Sequence, residues 1–163
     1  MKRKSLANEL CPIARSLDVI GEWWSLLIVR DALFGKRRFG DFQRSLGLAK
    51  NILAARLKKL VACGVLEQRP ASDGSAFQEY VLTDKGRELG MVLLALRLWG
   101  TRWPAAAGAE PRKVVDKASG EEVRLELRTA GGRRLAPAAA AIAGLPEGPG
   151  GAAEADDVPA EPD

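Results

Sequence analysis

The side chains with the plainest chemical purpose in this sequence are cations, gathered in two places. Lys36, Arg37 and Arg38 are consecutive, and Lys50, Lys58 and Lys59 share a short stretch with Asn51 and Ala55. Wound as a helix at about 100° per residue, Leu53, Leu57, Leu60 and Val61 form one apolar stripe. Asn51, Ala55, Lys58, Lys59 and Ala62 then point the other way. That outward face carries no acid, whereas an ordinary solvated face mixes both signs. The set suits a DNA duplex. Asn51 matches an adenine edge, and Lys50, Lys58 and Lys59 match phosphates or guanine edges. Ala55 and Ala62 let the backbone come close. Lys36, Arg37, Arg38 and Arg69 fit the sugar-phosphate backbone, with the polar turn from Ser72 to Ser75 near the minor groove. Taken alone, the 36–38 run is equally well a solvated loop. Arg56 lies off the outward face and is placed to pair with an acid inside the protein.

Other chemistries are excluded by what is missing. The chain has no histidine and two cysteines, Cys11 and Cys63, so four-ligand zinc sites within one chain and Ser-His-Asp or Cys-His catalysis are ruled out. No phosphate loop or carboxylate pair is present, and no enzyme, metal or cofactor is expected. No apolar run approaches a membrane span. The basic start lacks the apolar stretch of a secretion signal, which points to the cytoplasm, with reduced thiols and no membrane partner. Trp23, Trp24, Trp99 and Trp103 leave two alternatives open. They form a pocket for a small aromatic effector between the second and last helices, or they serve core and dimer packing.

These residues need a scaffold, and the charge pattern outlines it. Residues 1–103 hold 18 Lys and Arg against 10 Asp and Glu, and residues 136–163 hold six acids and no base. A basic body with an acidic tail suits a polyanion partner. Within the body, Pro12–Val19, Trp23–Phe34, Arg38–Leu46, Ala49–Cys63 and Asp84–Trp103 have helical periodicity, the last capped by Thr83. Val65–Arg69 and Gln78–Leu82 form a hairpin across a polar loop. Helix, helix, short helix, turn, helix and hairpin is the order of a winged helix-turn-helix, mainly α with a small β-hairpin wing. Its second paired helix enters the major groove. A winged-helix interaction module without DNA affinity is the rival, and the acid-free face argues against it. The domains are then 1–103 for DNA binding and dimerisation, 104–135 for a linker and β-hairpin extension, and 136–163 for a disordered Ala/Gly/Pro-rich tail. In the extension, Val123, Leu125 and Leu127 alternate as a strand, with Lys113–Val115 as partner through Ala118–Gly120. The long last helix and the first carry more apolar surface than one small domain covers, which points to a homodimer.

The chain resembles the HxlR-type transcriptional regulators, relatives of the MarR-type winged-helix proteins. The resemblance rests on Cys11-Pro12 through Gly21, Trp24 through Asp31, Leu33 to Gly35, Arg37 to Phe42, Asn51 to Leu53, Arg56 to Leu60, Gly64 to Leu66 and Glu79 to Gly86. It implies a homodimeric bacterial transcription factor, a repressor, on a dyad-symmetric operator. Some members carry a C-terminal extension with a His/Cys pattern. Here Asp116, Ser119, Arg128 and Gly131 stand near those positions, and none supplies a thiolate or imidazole. The family's N-terminal cysteine matches Cys11. In several members that residue senses oxidants or electrophiles, and in many it only packs.

Overall fold

A computed structural model of the chain describes residues 5–103 and 113–142. The elements are α1 (Pro12–Ile20), α2 (Trp23–Leu33), α3 (Phe39–Leu46), α4 (Lys50–Ala62), β1 (Leu66–Pro70), β2 (Gln78–Leu82) and α5 (Asp84–Arg102), then β3 (Leu127–Arg128), β4 (Arg134–Leu135) and a 3-10 turn, Pro137–Ala139. They fall into two compact units that divide between Arg112 and Lys113. The first is the winged helix-turn-helix that the order of elements requires.

The first unit closes over one apolar cluster. Ile28 and Val29 of α2, Phe42 of α3 and Leu53, Leu57 and Leu60 of α4 have no exposed surface, and Leu48, Val65, Leu66 and Leu82 complete the cluster. Each such side chain contributes about 1.5–3 kcal/mol on burial. The angle between α3 and α4 is set at Gly47, whose φ of 65° is left-handed and whose amide donates to Gln43 O. Leu48 then turns inward and the Gln43 side chain donates to its carbonyl at 3.4 Å. The wing is an antiparallel hairpin with Leu66 opposite Leu82 and Pro70 opposite Gln78.

Where the wing meets α5 the packing is tightest. Thr83 caps the helix, its hydroxyl accepting from the Gly86 amide at 3.1 Å and donating to Gly64 O at 2.6 Å. Gly86 is buried so close to the Val65 carbonyl that a Cβ there would stand 2.2 Å from its oxygen. Farther along, α5 exposes Met91, Val92, Leu96 and Trp99, and α1 exposes Ile13 and Leu17.

Helix ends differ from the sequence reading by one residue: α1 runs on to Ile20, α4 is Lys50–Ala62, α5 ends at Arg102, and α2 and α3 differ at one end each. α2 stops at Leu33, with Phe34 as its cap. α3 begins at Phe39 because Arg38 is extended (φ −96°, ψ 146°) and its side chain leaves the helix for the wing.

The second unit is rearranged relative to the anticipated hairpin. Val115 bridges Glu122 and the Val123 amide donates to Val114 O at 2.8 Å, so the pairing starts as expected. Leu127 and Arg128 instead pair with Leu135 and Arg134. The reason is local: Thr129 to Gly132 closes a tight turn of its own, with Gly132 at φ 85°. Val123 is half-buried, whereas Leu125 and Leu127 are exposed. The linker 104–108 and tail residues 143–163 lie outside the described residues.

Candidate nucleic-acid interface

α4 presents the face its periodicity predicts. Lys50, Asn51, Ala55, Lys58 and Ala62 are all exposed, opposite the buried Leu53, Leu57 and Leu60. The described residues place no acid against Lys50 or Lys58. Lys59 does not belong to this face. Its ammonium donates to the Asp18 carbonyl and faces the Asp18 carboxylate at 4.0 Å, which turns it back onto α1. Phase alone points it outward, and the acid on the neighbouring helix overrides phase. Arg56 pairs with Glu22 at 3.1 Å, as its inward phase anticipates. Two cations of α4 thus fix the helix against α1 and the turn after it, while two others remain for a ligand.

The cations around α3 and the wing are organised by acids. Lys36 lies 3.3 Å from the Asp31 carboxylate, and Arg30 pairs with the same group at 2.9 Å. Asp31 is buried. Burial alone would raise its carboxyl, but hydrogen bonds from Ser45 and Arg30 and the charge of Arg30 bring it below its ordinary value. Arg37 faces Glu79 at 3.8 Å, and Glu79 also accepts from the Ser72 hydroxyl at 3.2 Å. Arg38 reaches across to the wing tip, donating to Asp73 and to the Ser75 hydroxyl at 3.4 Å, with its Nε 3.9 Å from Glu79. The Ser75 hydroxyl and amide, and then Arg38, hold the Asp73 carboxyl down to about 2. Arg69 pairs with Glu67 on its own strand. The exposed pairs, Arg38 with Asp73 and Arg69 with Glu67, contribute at most about 1 kcal/mol each, so phosphates can recruit these two cations, whereas Asp31 and Glu79 are buried and hold their cations more firmly.

Asp31 and Glu79 are the polar residues that pattern reading missed. A signal existed in each case. Asp31 is the lone acid at the end of the apolar run Leu26–Leu33, five residues before Lys36, and Glu79 sits in a strand otherwise read as wing surface.

The four tryptophans differ in exposure. Trp24 packs on the core, whereas Trp23, Trp99 and Trp103 are 85%, 66% and 71% exposed. Trp23 opens α2, whereas Trp99 and Trp103 stand at the far end of α5. A cleft of about 260 Å³ lies elsewhere, between the end of α2, β2 and the start of α5, lined by Leu33, Lys36, Tyr80, Val81 and Arg87. Cys11 is exposed and stands directly before α1. Cys63 is half-buried at the end of α4, where Lys85 donates to its carbonyl at 2.7 Å. No described helix is long and apolar enough to cross a membrane.

Comparison with known proteins agrees with this geometry. The HxlR-like helix-turn-helix family matches residues 19–107. An HTH-type transcriptional regulator of Mycobacterium tuberculosis is 38% identical over 109 residues, covering 67% of this chain and 69% of that protein. Among solved structures, PA1607, a candidate transcription factor, shares 50% identity with a TM-score of 0.78, covering 85% of this chain and 98% of that one. The redox regulator HypR in its oxidised form is 30% identical with a TM-score of 0.54, covering 59% of this chain and all of that one.

Proposed function

The chain belongs to the HxlR-like helix-turn-helix family and is a DNA-binding transcriptional regulator, not an enzyme; from that premise we propose that it is a homodimeric repressor acting in the cytoplasm on a dyad-symmetric operator. One observation carries the DNA reading: the exposed, acid-free face of α4 with Lys50, Asn51, Ala55 and Lys58. Asn51 reads a base edge, and Lys50 and Lys58 meet phosphates or guanine edges. Arg38 and Arg69 meet backbone once phosphates replace their exposed acids Asp73 and Glu67, Lys36 and Arg37 meet it beside the buried Asp31 and Glu79, and Ser72 and Ser75 lie along the minor groove. The apolar face of α1 and α5, with Leu17, Leu96 and Trp99, is the dimer surface, and it sets the two recognition helices about 34 Å apart, one turn of DNA. Residues 1–103 do this work, and the unit from Lys113 is an appendage.

The test is selection of bound sequences from a random pool. The wild type should return a palindrome, and Asn51→Ala should relax one base pair in each half-site at a cost of about 1–3 kcal/mol. A wild type that returns no sequence preference overturns the proposal.

Control by thiol chemistry is favoured by a separate observation, the exposure of Cys11 at the start of a helix that is ion-paired to α4. Oxidation or alkylation there displaces α1, and with it the helix that Lys59 holds.

A further inference from the structure

Arg38 faces two acids in unlike settings. Glu79 is held in place: its side chain is 8% exposed, it accepts from Ser72 at 3.2 Å, and Arg37 stands 3.8 Å away. Asp73 is 55% exposed at the tip of a loop that turns through Gly74 at φ 74°. The ring of Phe77 lies 5.7 Å from the guanidinium carbon and supports its plane. Arg38 is thus flanked by the buried Glu79 and by Phe77, and its terminal nitrogen is taken by the exposed Asp73. An exposed carboxylate on that guanidinium repels any phosphate that approaches it.

We propose that Asp73 is a built-in competitor of DNA. It occupies the Arg38 guanidinium in the free protein, and a backbone phosphate displaces it on the duplex, releasing the wing tip toward the minor groove. Several features fit an exchange better than a permanent brace. A phosphate offers the same acceptor geometry to an arginine fork, with greater charge. The interaction being broken is a surface ion pair, worth roughly 1.4- to fivefold in an equilibrium. The Ser75 amide, which now donates to Asp73, becomes a free donor when Asp73 leaves, while the Ser75 hydroxyl oxygen can go on accepting from Arg38. Glu79 and Phe77 stay where they are, so the guanidinium keeps its aim through the exchange.

The inference rests on the DNA-binding reading, and a double-mutant cycle separates the two. Binding of the full chain to its selected operator and to random duplex is measured at several salt concentrations for wild type, Asp73→Asn, Arg38→Ala and the double variant, with melting curves to confirm folding. Asp73→Asn should tighten both duplexes, by about two- to 25-fold for the two sites of a dimer. In the Arg38→Ala background the same change should gain less than twofold. Arg38→Ala itself should flatten the salt slope by about 0.9 for each phosphate left without its cation. Arg38→Lys, which keeps the charge without the fork, stands in if the alanine variant fails to fold, and there the gain should fall below that in the wild type. An equal gain with or without Arg38 means general charge removal and overturns the proposal. So does no gain, and so does weaker binding by Asp73→Asn, which would mark a brace. A wild type that binds no DNA refutes the functional reading instead.

Discussion

Gly86 and Gly90 offer the same substitution in one helix with opposite expected signs. At Gly86 an added Cβ would meet Val65 O at 2.2 Å and Leu82 Cδ2 at 2.8 Å, whereas at Gly90 the nearest atom is Leu33 Cδ1 at 3.9 Å. Alanine at either site gains about 0.8–1 kcal/mol of helix propensity. At Gly86 the overlap is with a backbone carbonyl that cannot swing aside, so α5 must move off β1, at about 1–3 kcal/mol for overpacking. The move also loosens the Thr83 cap, which adds about 1 kcal/mol. Gly86→Ala should therefore lose about 1–3 kcal/mol net, or roughly 4–20 °C in Tm for a unit of this size. Gly90→Ala should gain about 0.4–1 kcal/mol. Urea titrations at fixed protein concentration measure both, with the slope checked for constancy. If Gly86→Ala is as stable as Gly90→Ala, the close approach of α5 to the wing is wrong.

Lys58→Ala should weaken binding to every sequence and flatten the salt slope by about 0.9 per protomer, whereas Lys59→Ala should leave the slope alone and blur operator preference. Leu96→Glu should shift sedimentation from dimer to monomer, and a dimer that persists would move the interface off α5. Peroxide or quinone should weaken operator binding by the wild type and spare Cys11→Ser; an equal response removes Cys11 as the sensor. Because the Asp73 carboxyl is lowered to about 2, chiefly by hydrogen bonds from Ser75 and then by Arg38, these contacts add stability above the ordinary carboxyl range and lose it as pH falls through about 2. A carboxyl NMR titration should place its midpoint there, and one near 4 would mean that Ser75 and Arg38 do not hold it.

Most of the body was legible because its elements follow short-range rules. The stripe Leu53, Leu57 and Leu60, the cap at Thr83 and the turn at Gly47 each follow from spacing and residue type. Pairings between elements were less legible. Lys59 has the phase of a DNA-facing residue, and only the placement of Asp18 on α1 shows why it turns away. Arg38 reads as a helix start and proves to be a tether to a loop 35 residues on. The extension was legible in part: Lys113–Val115 does meet the segment at Glu122 and Val123, but alternation names a face and not a partner, and for Leu127 the turn Thr129–Gly132 supplied a closer one. The tryptophans were ambiguous from the outset, since residue type fixes neither what covers them nor whether they enclose anything.

The ion pairs between α4 and its neighbours bear on how relatives diverge. The side chains proposed to read bases lie on α4, and those proposed to form the pairing face lie on α1 and α5. Sites far apart that share no partners accept substitutions nearly independently. A duplicated copy could therefore change its pairing face, and stop mixing with its parent, without changing the sequence it reads. The exceptions are the two places where the sets touch, Asp18 with Lys59 and Glu22 with Arg56. A change at one member of either pair tilts the recognition helix unless the other changes too, so across paralogues these four positions should vary as two linked pairs.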